Sequence, residues 1–283
     1  MKLRVIMTHQ LLGVHCSVSG GLYKAFEEAS TLDIDTFQIF TQNQRQWLNK
    51  TIEKEQEHLF KDAWKKSKVK IVFSHCSYLL NLASEESELR KKSVDALIGE
   101  VNRCHDLNLS FCVLHPGAAK NQTEEHAIAH IVQGLKSVLK ATSHSGVKIL
   151  LENTAGQGTS LGYRFEQLAM MQQGVSSDRI GVCLDTCHAF AAGYDLRTIT
   201  AFDSVMESFD ELIGLKHLHA IHLNDSKGEL GCRTDRHEHI GKGKLGLAAF
   251  RYAMKHFSHL PKVMETEKDN NMDEVNLKVV RAL

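Results

Sequence analysis

The sequence predicts a single-domain (β/α)₈ TIM barrel, and three observations carry that prediction. Short runs of Val, Ile, Leu and Phe recur eight times along the 283 residues. Longer amphipathic stretches separate them, and no Pro-, Gly- or Ser-rich linker breaks the alternation. Short continuous apolar strands alternating with helices are the pattern of βαβ units in a parallel sheet buried on both faces. Their number and regular recurrence favour a closed barrel ringed by helices over a doubly wound open sheet.

Each unit has its place. Residues 1–10 form an extension ahead of the first strand, LLGVH (11–15). The β-branched and aromatic run TFQIFT (36–41) is the second strand, and KIVFSH (70–75) is the third. Helical spacing over 86–107 leads to the fourth strand, FCVLH (111–115), and a second helix over 124–140 leads to the fifth, KILLE (148–152). IGVCLD (180–185) is the sixth strand, a helix over 203–215 follows, and HAIHL (219–223) and KVMET (262–266) complete the set.

Composition narrows the function class. No apolar run approaches the roughly 18 residues of a membrane span, and the N-terminal stretch MKLRVIMTHQLLG lacks a signal-peptide core and cleavage site. The seven cysteines are scattered and form no Cys-x-x-Cys pair, which predicts reduced thiols in a cytoplasmic protein without a disulfide framework or zinc ribbon. Balanced charge, 34 basic against 34 acidic residues, lacks the excess that a nucleic-acid partner ordinarily demands. Histidine is abundant, at 17. His58, His105, His126, His130, His144, His256 and His259 fall in polar, helix-like segments and are expected to be solvated.

The informative residues stand where strands end. Successive runs close on His75, His115, Glu152, Asp185, His222 and Glu265, 33 to 43 residues apart. Strand C-termini of a barrel converge on one face, so six imidazoles and carboxylates are aimed at one small volume. Packed there without cations, the carboxylates would repel one another or go unsatisfied. They are the donors that zinc, manganese and iron sites use. His188 follows Asp185 across one turn, and Asp235-x-His237 sits in the loop after the seventh strand, its two side chains on one side of an extended segment. Nine ligands exceed one ion's needs; at three or four each, with a carboxylate shared, they suit three. His239 ranks behind His237 as a candidate.

At this point the chain resembles a known family, endonuclease IV, the second family of apurinic/apyrimidinic-site endonucleases. The resemblance spans nearly everything after residue 10. It is carried by SGG (19–21), FTQNQRQW (40–47), SHCSYLLNL (74–82), HPG (115–117), LENTAGQG (151–158), GVCLDTCHAFAAGYDLRT (181–198), HLNDSK (222–227), DRHEHIGKG (235–243) and METE (264–267). It implies a trinuclear zinc barrel, with manganese admissible at some positions. His75 and His115 would hold the first ion, with Glu152 bridging to a second held by Asp185, His222 and Glu265; His188, Asp235 and His237 would hold the third. One departure is visible: His75-Cys76-Ser77-Tyr78 stands where the family often has His-Ala-Pro-Tyr, and Cys76 is expected to pack rather than ligate.

The resemblance further implies hydrolysis of double-stranded DNA 5′ to abasic sites, repair of blocked 3′ ends, and a monomer. Glu152 is the catalytic candidate, as a bridge that also orients the nucleophile. The loops after the second and third strands, with Asn43, Gln44, Arg45, Trp47, Tyr78, Leu79 and Asn81, would contact DNA. Arg45 and Tyr78 are the gap-filling or backbone-clamping candidates, while Trp47 and Leu79 equally suit packing under the loops. The ligand carboxylates account for −4 of a net charge of zero, so three divalent ions would bring the protein to about +6, centred on the barrel mouth. A sugar isomerase on the same barrel would need only Glu152, Asp185, His222 and Glu265. A non-catalytic DNA binder would need none of the nine, because phosphate contacts suffice.

Overall fold

The structure, a computed structural model, describes residues 10–47 and 50–283. Of the predicted extension only Gln10 lies among the described residues, its side-chain amide donating to the Met254 carbonyl at 2.9 Å. The strands are β1 (Leu12–Val14), β2 (Thr36–Ile39), β3 (Ile71–His75), β4 (Phe111–Leu114), β5 (Lys148–Glu152), β6 (Ile180–Asp185), β7 (Leu218–His222), β8 (Asp225–Ser226), β9 (His237–Glu238) and β10 (Lys262–Met264). The helices are α1 (Lys24–Leu32), α2 (Lys54–Lys66), α3 (Ser87–Asp106), α4 (Glu124–Ala141), α5 (Phe165–Val175), α6 (Thr186–Ala192), α7 (Ile199–Leu212), α8 (Leu247–His256) and α9 (Met272–Arg281).

Eight strands run parallel in the order β1-β10-β7-β6-β5-β4-β3-β2. The ring closes through a bridge between His15 and Gln38, where the Cys16 amide donates to the Gln38 carbonyl at 2.8 Å. Gly13 permits that seam: a Cβ there would collide with the Thr36 carbonyl. The fold is a single TIM barrel, as the sequence predicts.

Alternation along each strand builds two cores. Phe73, Phe111, Val113, Leu150, Cys183, Ala220 and Val263 point inward and fill the barrel. Their neighbours Cys112, Leu114, Ile149, Leu151, Val182 and Leu184 point outward and pack beneath the helices. Each fully buried aliphatic or aromatic side chain contributes about 1.5–3 kcal/mol. Thr198 caps α7 by accepting from the Ala201 amide at 3.2 Å, which starts that helix four residues ahead of the predicted position.

Two elements were not foreseen. α6 begins directly after β6, and β8 and β9 pair as a small antiparallel hairpin outside the barrel. Of the seven histidines expected in solvent, six are exposed; His130 is half-buried, and its Nδ1 has no hydrogen-bond partner. At the N-terminal end of β10, Lys262 is fully buried, and its Nζ donates to the carbonyls of Phe257 and Leu260, each at 2.8 Å. Burial pushes its pKa down to about 7. Among the described residues no helix is long and apolar enough to cross a membrane.

Candidate metal centre

Four of the six strand-end residues are the last residues of their strands: His75, Glu152, Asp185 and His222. His115 and Glu265 stand one position beyond β4 and β10. All six face the barrel mouth, and with the three loop candidates they fall into adjoining groups. In the first, His75 Nε2 and His115 Nε2 lie 3.1 and 3.0 Å from Glu152 Oε2. The second joins Glu152, Asp185, His222 and Glu265: His222 Nδ1 is 2.9 Å from Glu152 Oε1, 3.0 Å from Glu265 Oε2 and 3.9 Å from Asp185 Oδ2. Asp185, His188 and His237 make the third. Asp235 stands over that group, its Oδ1 3.1 Å from His188 Nε2 and 3.5 Å from His237 Nε2. Glu152 and Asp185 each serve two groups. Sharing was expected of Glu152; the approach of His237 Nε2 to within 3.6 Å of Asp185 Oδ2 extends it to Asp185.

Local structure explains these placements. Asp185 is the N-cap of α6, accepting the His188 amide at 2.7 Å through Oδ1, and this turn folds the His188 ring back over the strand end. Asp235 and His237 arrive through the β8–β9 hairpin, in which His237 pairs with Ser226. Asp225 anchors that loop. Its buried carboxylate accepts from the amides of Ser226 (2.8 Å), Gly241 (2.9 Å), Gly243 (3.1 Å) and Leu245 (3.0 Å). A Cβ at Gly243 would strike that carboxylate, so glycine is required there.

Hydrogen bonds fix which imidazole nitrogen faces inward. Nδ1 of His75, His188 and His237 donates to the backbone carbonyls of Cys76 (2.6 Å), Asn153 (3.0 Å) and Glu265 (3.3 Å), turning each Nε2 toward the carboxylates of the mouth. His188 Nε2 and His237 Nε2 are then buried without a hydrogen-bond partner, although Asp235 lies close to both. An unpartnered buried nitrogen costs about 1–3 kcal/mol. A cation between these nitrogens and the Asp185 and Asp235 oxygens removes that cost, so the residues present fit a metal.

Charge points the same way. Burial resists ionisation of Glu152, yet His222, His115 and His188 around it hold its carboxyl well below the usual range. Asp235 is pulled down to about 2 by His188 against its own burial. Burial also opposes charge on His188, but Asp185, Asp235 and Glu152 outweigh it and raise that imidazole well above its ordinary value. Glu152, Asp235 and Glu265, all held below the usual carboxylate range against their burial, need positive charge beside them, from imidazolium protons or from metal ions. The donors are all imidazole and carboxylate, a set suited to zinc, manganese or iron.

Several buried amides among the ligands were missed by sequence reasoning. Asn153 Oδ1 accepts from the Asp185 amide (2.7 Å) and its Nδ2 donates to the Asp185 carbonyl (3.0 Å); Asn224 Nδ2 donates to Asp185 Oδ2 at 2.7 Å. Their signal was position: Asn153 and Asn224 follow Glu152 and His222 by one and two residues. Gln38, a polar residue inside an apolar strand, is the third. His239 turns away, its Nδ1 accepting from Asn276 at 3.2 Å. Cys76 is buried and bonds through its backbone amide to the Val113 carbonyl at 2.8 Å, as packing requires.

The candidate DNA loops border the mouth. Tyr78 is 59% exposed, its ring 5.2 Å from that of His75 and 5.7 Å from that of His115. Leu79 is half-buried beside it. Asn43 accepts from the Arg45 amide at 2.9 Å, and Ser77 donates to the Gln44 carbonyl at 2.6 Å, tying the two loops together. Arg103 of α3 braces the first loop from behind, donating to Thr41 Oγ1 (2.8 Å), Glu100 (2.6 Å) and the Lys50 carbonyl (3.3 Å). Trp47 is exposed rather than packed beneath the loop. Asn81 is occupied in joining the loops after β3 and β4: it accepts from the Ala118 amide at 3.0 Å and donates to the Ala118 carbonyl at 3.1 Å. A cavity of about 510 Å³ opens beside His115, His188 and Asp235, with Lys120, Gln157 and Arg236 on its walls. A second of about 360 Å³ adjoins it between Tyr78, Leu79 and Lys120.

Known proteins share this chain's outline. The profile of the xylose isomerase-like TIM barrel family matches residues 26–282. The probable endonuclease 4 of Geotalea daltonii is 45% identical over 275 residues, 95% of this chain and 96% of that protein. The crystal structure of endonuclease IV from Thermus thermophilus superposes with a TM-score of 0.86 at 34% identity, covering 96% of this chain and 97% of the other. A D-tagatose 3-epimerase-like protein superposes with a TM-score of 0.75 at 21% identity over 96% of this chain and 95% of its own, a likeness of fold alone.

Proposed function

Because the chain belongs to the endonuclease IV family, we propose that it is a DNA-repair phosphodiesterase. It hydrolyses the duplex backbone 5′ to abasic sites, leaving a 3′-hydroxyl and a 5′-deoxyribose phosphate, and clears blocked 3′ ends. The observation that carries this reading is the set of three adjoining ligand groups linked through Glu152 and Asp185 at the barrel mouth.

His75, His115 and Glu152 would hold one ion, Glu152, Asp185, His222 and Glu265 a second, and His188, His237 and Asp235, beside Asp185, a third. Zinc held there supplies a water activated near neutral pH and positive charge for the phosphate, manganese being admissible at some positions. The protein's own residues do the rest. Glu152 presents Oε2 to the His75 and His115 side and Oε1 to His222, so it spaces two positions and orients the nucleophile between them. The carbonyl-anchored imidazoles arrive with their donor nitrogens already turned inward, which lowers the ordering cost of assembling the site.

A lesion must leave the duplex to reach this mouth, and an abasic nucleotide pairs and stacks least. Tyr78 and Leu79 on one loop and Arg45, with Asn43 and Gln44, on the other stand where they would fill the gap and clamp the backbone. Lys120 and Arg236 line the adjoining cavity and suit phosphate oxygens. A mononuclear isomerase has no use for His75, His115, His188, Asp235 and His237, which weighs against that reading.

The test is metal content per chain together with incision of a duplex bearing one synthetic abasic site. About three zinc ions and a nick 5′ to the lesion, lost in Glu152→Gln, is the expected result. A single ion and an intact duplex overturns the proposal in favour of a sugar isomerase.

A further inference from the structure

Gln38 is fully buried in β2, at the seam where the barrel closes. Its amide makes three contacts. Oε1 accepts from His222 Nε2 at 2.8 Å; Nε2 donates to Glu265 Oε1 at 2.6 Å and lies 2.9 Å from His15 Nδ1, the acceptor. Only one amide orientation satisfies this set, because a flipped amide would press its oxygen against the Glu265 carboxylate.

That orientation has consequences for both neighbours. With Nε2–H committed to Gln38, His222 turns Nδ1 toward Glu152 and Glu265, 2.9 and 3.0 Å away, and an ion held between those groups would meet the Nδ1 lone pair. With Oε1 tied to Gln38, Glu265 turns its other oxygen, Oε2, toward His222. The contrast with the other histidines is informative. His75, His188 and His237 are each oriented by a backbone carbonyl, which no substitution removes. Among these four His222 alone is oriented by a side chain.

We infer that Gln38 is a positioning residue for the ion held by Glu152, Asp185, His222 and Glu265, setting the tautomer of one ligand and the free oxygen of another. The inference rests on the metal reading proposed above. Groups that orient metal ligands are worth about 10- to 100-fold in affinity, so Gln38→Met is expected to make one ion of the three labile and leave two unchanged.

The experiment titrates the full chain, wild type and Gln38→Met, against a competing chelator while counting zinc, and melts both metal-free proteins. Expected is one equivalent released from the variant at 10- to 100-fold lower chelator strength, from a metal-free variant that melts several degrees lower, as the three lost hydrogen bonds require, and is still folded at the temperature of the titration. In the zinc-loaded wild type, ¹⁵N NMR should find the His222 proton on Nε2, a readout independent of whether the variant folds. A His222 proton on Nδ1, or zinc release from Gln38→Met that matches wild type, overturns the inference while leaving the metal reading standing. A wild-type protein that takes up no divalent ion overturns both.

Discussion

Asp225→Asn is expected to unfasten one wall of the site while sparing the barrel. In the native protein each carboxylate oxygen accepts two backbone amides: Oδ1 from Ser226 and Leu245, Oδ2 from Gly241 and Gly243. An asparagine keeps one oxygen, so whichever way it turns, two amides face an NH₂ group. Hydrogen bonds to a charged acceptor contribute about 1.5–3 kcal/mol each, so losing two costs about 3–6 kcal/mol. At roughly 2.1 cal/mol/K per residue, unfolding 283 residues carries an entropy near 0.6 kcal/mol/K, which converts the loss to a melting shift of about 5–10 °C. The damage is local in origin: Asp235 and His237 hang on the loop that Asp225 secures. Calorimetry, zinc analysis and single-turnover incision of an abasic duplex should therefore give a lower melting temperature, about two ions per chain instead of three, and slowed cleavage. A variant that melts within about 2 °C of wild type, holds its full complement of metal and cuts at the native rate refutes the reasoning.

Two further predictions concern other parts of the molecule. Tyr78→Ala should leave stability within about 1 kcal/mol, because the residue is mostly exposed, yet raise KM for abasic duplex by roughly 5- to 150-fold, the worth of one stacking contact of about 1–3 kcal/mol; an unchanged KM removes Tyr78 from the interface. Lys262 sits near 7 in the folded state against 10.5 in the unfolded chain, so unfolding takes up a proton between those values. Stability therefore rises with pH across that window, by about 1.4 kcal/mol per unit from this group, and is lowest below pH 7, where the buried ammonium is carried in full. Lys262→Met should remove that share of the slope in denaturant melts from pH 7 to 9, and equal slopes in the two proteins would exclude it.

Much of this was legible in sequence, for physical reasons that particular residues display. Glu152 and Asp185 end apolar runs that a buried strand must keep apolar, so their polarity declared a destination at the barrel mouth. The apolar runs were legible as strands buried on both faces, but because both faces are apolar the sequence did not say that Leu150 and Cys183 lie inside the barrel and Leu151 and Val182 outside it. What escaped notice depended on partners far along the chain. Gln38 meets His222 and Glu265 across 184 and 227 positions, and its neighbours in TFQIFT gave no hint of them. β8 and β9 are two residues each, too short for any alternation to register. The seven residues of α6 follow their strand without a turn, so nothing but the cap at Asp185 marks their start.

The seam at Gln38 also bears on when, during folding, such an enzyme becomes dangerous. β1 and β10, the first and last strands of the ring, pair between Leu12 and Lys262, so the barrel closes only when its last strand joins its first, and that pairing brings Glu265 to the Gln38 amide. A folding intermediate lacking that last strand has an open sheet and a ligand group one carboxylate short, Glu265. Immature chains would thus be inert toward DNA, and the power to nick a chromosome would be conferred by the same event that certifies the fold.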